Sequence, residues 1–228
     1  MLIIFDWDGT LCDSVEHIVE AMQRAAGECS LAPPEATGVR DIVGLGLPQA
    51  IEALFPGLAP ESGQALAAAY SRHFGEIARG GARLFAGAME TLLGLRARGF
   101  ELAVATGKSR RGLERVLAEL DMSDFFETVR CADETRSKPH PQMLLEILSE
   151  RRRPPVEALM VGDTEYDLAM ARGAGMRSVG VSHGVHDVSR LARHGPVAII
   201  DELPALLELE LLRGVVRSPG HRPRPADR

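Results

Sequence analysis

The sequence predicts an open, doubly wound α/β sheet with a block of helices inserted after its first strand. Three observations carry that expectation. Short apolar runs without polar alternation recur along the chain, as strands buried on both faces of a parallel sheet require. Segments of helical period separate them. The stretch from Asp13 to about Phe85 breaks this rhythm, offering helical patterns and no convincing strand.

The first run is Leu2 to Phe5, with Asp6 at its C-terminal end. Three helical patterns follow in the insertion, VEHIVEAMQRAAGE, LPQAIEALF and SGQALAAAYSRHFGEIA. Gly80 and Gly81, with Gly87 shortly beyond, supply backbone freedom where the insertion rejoins the core. Further strands are expected at Glu101 to Ala105, Ala158 to Val161, Arg177 to Val181 and Val197 to Ile200, with a weaker one near Thr128 to Cys131. The helices between them are METLLGLRARG, SRRGLERVLAEL, PQMLLEILSE and TEYDLAMARGAG. The expected organisation is an α/β core over 1–14 and 86–212, a helical insertion over 15–85, and an unpacked Pro/Arg-rich tail over 213–228.

A chain of 228 residues accommodates one large domain with a substantial insertion. Its 26 Lys+Arg against 32 Asp+Glu leave a net charge of −6, and 45% of it is hydrophobic, which argues against both disorder and a phosphate-backbone reader. No stretch approaches the ~20 apolar residues of a membrane span, and the opening MLIIFDWDGT meets two Asp before a signal-peptide core could form. The expectation is a cytoplasmic monomer or homodimer with no nucleic-acid or membrane partner. Cys12, Cys29 and Cys131 are widely spaced and without paired His or Cys, so they read as free thiols.

In an open α/β sheet ligands bind beyond the carboxyl ends of the strands. The polar residues there are Asp6 and Asp8 in DWDGT, Thr106, Gly107 and Lys108 after ELAVA, Lys138 in SKPHP, and Asp163 and Asp167 in GDTEYD. Four carboxylates at one mouth repel one another unless a divalent cation neutralises them, and oxygen-only ligands point to Mg²⁺. Asp6 and Asp8 share a side in extended backbone, and Asp163 and Asp167 share a face at i, i+4 of a helical turn. A carboxylate beside Mg²⁺ is a competent nucleophile toward phosphorus, with a lysine shielding the phosphoryl oxygens. Lys138 and Lys108 are the only lysines in the sequence. Pro139 suits a helix N-terminus after Lys138, and Thr106 with nearby N–H groups suits a phosphoryl oxygen.

DWDGTLCDS, VATGKS, SKPHP and VGDTEYD, in that order, resemble the four motifs of the haloacid dehalogenase superfamily of phosphohydrolases, over about Leu2 to Pro204. The insertion resembles the cap of its subfamily I, and the nearest look-alikes are phosphoglycolate phosphatase-like. The resemblance implies that Asp6 becomes an aspartyl-phosphate, while Asp8 is general acid and base and gives the metal its carbonyl. It further implies that Thr106 and Lys138 bind the phosphoryl group, that Asp163 ligates Mg²⁺, and that Asp167 supports the metal shell or orients Lys138. The function it implies is Mg²⁺-dependent hydrolysis of a small-molecule phosphate ester, 2-phosphoglycolate first among them.

Structural alternatives stand beside several of these readings. Asp6 and Asp8 are also turn formers with Gly9, Thr106 a helix N-cap, Asp163 and Asp167 a charged first turn, and Lys108 an ordinary exposed loop lysine. Ser14 reads as a helix N-cap, and His17, His73, His183 and His186 as surface or hinge residues. Arg40 and Leu45, in a glycine-containing connection of the insertion, are expected to select the substrate, against the alternative of a plain helix–helix loop. Asp8 argues against a dehalogenase, and the lysine-free stretch from Asp13 to Phe85 against a phosphonate hydrolase. A phosphosugar mutase and a pyrophosphatase stay open, and the filled catalytic positions disfavour an idle binding protein.

Overall fold

A computed structural model describes residues 1–213, so the expected Pro/Arg tail lies, beyond Arg213, outside the described residues. The chain opens with β1 (Leu2–Phe5), followed by α1 (Val15–Glu28), α2 (Ala36–Asp41), α3 (Leu47–Leu54) and α4 (Pro60–Ile77). It continues through α5 (Ala88–Ala97), β2 (Glu101–Thr106), α6 (Arg110–Glu119), β3 (Thr128–Cys131), α7 (Gln142–Arg151) and β4 (Ala158–Gly162). The remaining elements are α8 (Glu165–Gly173), β5 (Arg177–Val181), α9 (Val188–Ala192), β6 (Ala198–Ile200) and α10 (Glu210–Arg213).

Among the described residues six parallel strands form one sheet in the order β3-β2-β1-β4-β5-β6. Alternation within the strands supplies two separate cores. Ile3, Phe5, Leu102, Val104, Leu159 and Val161 face α5 and α6, whereas Leu2, Ile4, Ala103, Ala105 and Met160 face Met143, Ile147 and Met170 from α7 and α8. All four residues of β1 are fully buried. Truncating Phe5 to Ala would therefore cost about 3–5 kcal/mol.

Three of the placements that position the site follow from register. Phe5 pairs with Val104 on one side and Val161 on the other. Asp6, one residue further on, and Thr106 and Asp163, two residues past Val104 and Val161, therefore emerge at one crevice, where the chain's strand order reverses. The inserted helices pack on their own cluster, including Ile18, Met22, Val39, Ile51 and Leu66. They connect to the sheet through two crossings that pair antiparallel: the Asp13 N–H donates to the Arg83 carbonyl at 2.8 Å and the Phe85 N–H to Leu11 at 2.9 Å. No described helix is long and apolar enough to cross a membrane.

Three local expectations differ from the structure. The turn after Lys138 runs three residues further, so that α7 begins at Gln142 rather than at Pro139. Asp163 is not on the helix with Asp167: it leaves the end of β4, and Thr164 caps α8. Ser14 precedes α1 but makes no side-chain cap bond, because its hydroxyl is engaged elsewhere.

Candidate active site

Asp6, Asp163 and Asp167 place carboxylate oxygens within 4.8 Å of one another, and all three are buried. Each is positioned by a different device. Asp6 is held by backbone, its N–H donating to the Val161 carbonyl at 2.9 Å. Asp163 accepts from the Thr10 hydroxyl at 2.7 Å and from the Val185 N–H at 3.0 Å. Asp167 closes a capping box with Thr164, whose hydroxyl donates to it at 2.6 Å. Gly9 passes against Asp163 at φ +83°, and a Cβ there would fall 2.3 Å from the carboxylate, so only glycine fits.

Lys138 enters this acidic cluster from the β3–α7 connection. Its ammonium, with a fully buried side chain, stands 2.6 Å from Asp6 Oδ1 and 2.7 Å from Asp167 Oδ1. Burial works against its charge, but Asp167 and Asp6 outweigh it and hold the ammonium well above its ordinary range. One cation does not balance three anions. Burial, with Asp167 and Asp163 adding to it and Lys138 opposing, raises Asp6 well above the usual carboxylate range. Burial and then the Asp167 charge push Asp163 up to about 7, despite the Val185 and Thr10 hydrogen bonds.

Asp6 Oδ2 is buried and has no hydrogen-bond partner. A buried, oxygen-only, electron-rich cluster with an unpartnered oxygen fits a hard divalent cation. Thr106, also fully buried, accepts from the Lys108 N–H at 3.1 Å, which leaves its own O–H free to donate to a ligand.

Asp8 stands apart from this trio, correcting the expectation that four carboxylates converge. The chain turns after β1, so the side chain faces the connection to the insertion rather than following an extended strand. Ser14 donates to its Oδ1, and the Lys108 ammonium lies 2.9 Å from the same oxygen. Lys108 is thus no exposed loop lysine: its side chain is only 10% exposed. Two sequence signals pointed to it, its place at the carboxyl end of the second strand and its rarity in an Arg-rich chain.

The insertion presses directly on the site. A Cβ on Gly107 would meet the Leu45 and Gly44 carbonyls at 2.6 and 2.7 Å, and the Gly46 N–H donates to the Ser137 hydroxyl at 2.8 Å. Leu45 therefore reaches the site through its backbone. Arg40 does not: its guanidinium pairs with Glu16 at 2.6 Å on the surface of the insertion. Asp41, the next residue, makes the contact instead. Its carbonyl accepts from the Tyr166 hydroxyl at 2.9 Å and lies 3.3 Å from His186 Nε2, and its carboxylate pairs with Arg190. His186 is accordingly buried rather than a surface histidine, and His183 lies 3.1 Å from the Thr10 carbonyl.

A sequence model described as haloacid dehalogenase-like hydrolase matches residues 3–181. The "Probable phosphatase IndB" of Dickeya dadantii is 34% identical over 205 residues, covering 88% of this chain and 89% of that protein. The phosphoglycolate phosphatase of Vibrio cholerae is 30% identical over 220 residues, covering 92% and 97%. A hydrolase from Pseudomonas syringae superposes with a TM-score of 0.83 at 23% identity, covering 91% of this chain and 96% of that one, a likeness of fold.

Proposed function

This chain belongs to the haloacid dehalogenase-like hydrolases and is a phosphatase of phosphoglycolate phosphatase type, and from that premise we propose that it hydrolyses 2-phosphoglycolate with Mg²⁺ through an aspartyl-phosphate on Asp6. The observation that carries this reading is the buried trio Asp6, Asp163 and Asp167 around Lys138, with one Asp6 oxygen unpartnered. Asp6, Asp163, Asp167 and the Asp8 carbonyl would hold the cation, which would supply charge neutralisation at the phosphoryl oxygens.

Asp6 attacks phosphorus as the bond to the leaving oxygen breaks, and Asp8 gives that oxygen its proton. Asp8, now a carboxylate, takes a proton from water, whose oxygen attacks phosphorus and returns the Asp6 carboxylate with inorganic phosphate. Lys138 orients the Asp6 carboxylate for attack and opposes its protonation before the first step, and faces the transferring oxygens. Thr106 donates its free hydroxyl to one of them. The inserted helices act as a cap, their Gly44–Gly46 backbone covering Gly107 and limiting the volume left for a leaving group.

The test is phosphate release from a panel of small phosphate esters with Mg²⁺ and with EDTA, together with trapping of the acyl phosphate on Asp6. The expected result is highest kcat/KM for 2-phosphoglycolate, no turnover in EDTA, and no trapped phosphate in Asp6→Asn. Turnover by metal-free protein, or a trapped phosphate surviving in Asp6→Asn, would overturn it.

A further inference from the structure

Lys108 sits where the chemistry of the core meets the inserted helices. Its ammonium is 2.9 Å from Asp8 Oδ1 and 4.4 Å from the centre of the Phe74 ring of α4. Phe74 is itself flanked by the Arg115 guanidinium at 6.0 Å and stacked on Tyr70 at 5.9 Å. A cation over an aromatic face is attracted by the ring quadrupole, the more so where water is excluded. Lys108 thus has two partners, an acid in the core and a ring on the insertion. The Ser14 hydroxyl, at the start of α1, grips the same Asp8 oxygen.

We propose that Lys108 is a positioning residue for Asp8, holding its carboxylate together with Ser14 and linking that hold to the seating of α4 through Phe74. The proposal deepens the reading of Asp8 as proton donor and water activator, and rests on it. Neither end of the link is free to move alone. If α4 lifts, Phe74 no longer covers the ammonium and Ser14 moves with α1, so Asp8 loses its support while the insertion is open. An acid supported only under a closed insertion releases the leaving group chiefly where bulk water is already excluded. The Gly107 backbone between Thr106 and Lys108 is the surface on which the insertion rests, so closure and the placement of Lys108 share one segment.

The experiment compares wild type, Lys108→Met, Lys108→Arg and Phe74→Leu, each also in the Asp8→Asn background, with folding checked by circular dichroism. Substrates are an alkyl phosphate monoester, whose leaving alcohol needs a proton, and p-nitrophenyl phosphate, whose phenolate departs without one. Lys108→Met is expected to lower kcat on the alkyl ester roughly 10- to 100-fold, the scale of a catalytic group displaced by about 1 Å, with little change in KM. On the aryl ester the first release of phenolate should stay as fast as in the wild type while the steady phase falls, because breakdown of the aspartyl-phosphate also uses Asp8. Lys108→Arg should recover much of the loss, Phe74→Leu should show the same pattern in weaker form, and in the Asp8→Asn background none of the three should cost anything further. Equal slowing of the first phenolate release, a rise in KM at constant kcat, or full additivity with Asp8→Asn would overturn the proposal by making Lys108 a direct substrate contact. If Lys108→Met does not fold, Phe74→Leu and Lys108→Arg carry the same comparison. Failure to trap a phosphate on Asp6 of the wild type would instead overturn the aspartyl-phosphate reading on which the proposal rests.

Discussion

Lys138 is a buried ammonium between two buried carboxylates, and its geometry decides what may replace it. The 2.6 and 2.7 Å contacts to Asp6 and Asp167 come from a compact point charge. A planar guanidinium needs more room and a different donor geometry. Lys138→Arg should therefore lower kcat roughly 100- to 1,000-fold although the charge is kept, measured as steady-state phosphate release. Wild-type kcat in that variant would remove Lys138 from the phosphoryl site. At the same scale, Lys138 and Asp163 were legible because each follows or precedes an element whose end the hydrophobic pattern locates. Lys108 and Ser14 were not. A loop lysine and a residue before a helix have ordinary roles by sequence, and only the approach of Asp8 to both shows otherwise.

Between elements, the decisive contact is that of the α2–α3 connection on Gly107. The loop carbonyls of Gly44 and Leu45 leave no space for a side chain, and carbonyls on a backbone cannot swing aside as a side chain would. Gly107→Ala should accordingly raise KM and lower kcat, by about tenfold or more in kcat/KM, by preventing full seating of the insertion. Gly63→Ala in α4, where a new Cβ has nothing within 4 Å, should leave both constants unchanged. Equal behaviour of the two variants would show that the contact is dispensable. The helical insertion itself was readable from periodicity, and α1 spans the residues its pattern indicated, but α2, which carries Arg40, was not among the three helical patterns. Arg40 illustrates the limit. A charged residue beside a glycine-containing loop is a fair candidate for substrate contact, but which way it points depends on α1, where Glu16 offers a partner.

At the scale of the whole molecule, the acidic centre ties stability to pH and to metal. Asp163, at about 7 in the folded protein against an ordinary value of ~3.9 unfolded, binds more protons folded than unfolded between those values, and the raised Asp6 acts in the same direction. This contribution therefore favours the folded state at low pH and is lost as pH rises toward and through about 7. The buried His186, held below its ordinary range mainly by burial, works in the opposite direction at the acid end of this window. Comparing Mg²⁺ with EDTA at each pH separates the two, since Mg²⁺ competes only at the carboxylates. The Tm increment from Mg²⁺ should grow from about pH 5.5 to about pH 8 and reach roughly 5 °C at about a hundred times its Kd. An increment independent of pH in thermal scans would contradict a cation at this cluster. The sequence by itself determined the α/β class, the inserted helices and the strand ends carrying Asp6, Thr106 and Asp163, because burial imposes periodicity and strand ends in a parallel sheet are where ligands bind. Only the tertiary structure decided that Asp8 turns from the trio toward Ser14 and Lys108, that Asp41 rather than Arg40 meets the α8 side of the crevice, and that Gly107 supports the insertion. Those outcomes depend on distances between segments far apart in the chain, and hydrophobic pattern records which face of an element is buried but not which polar group waits on the other side.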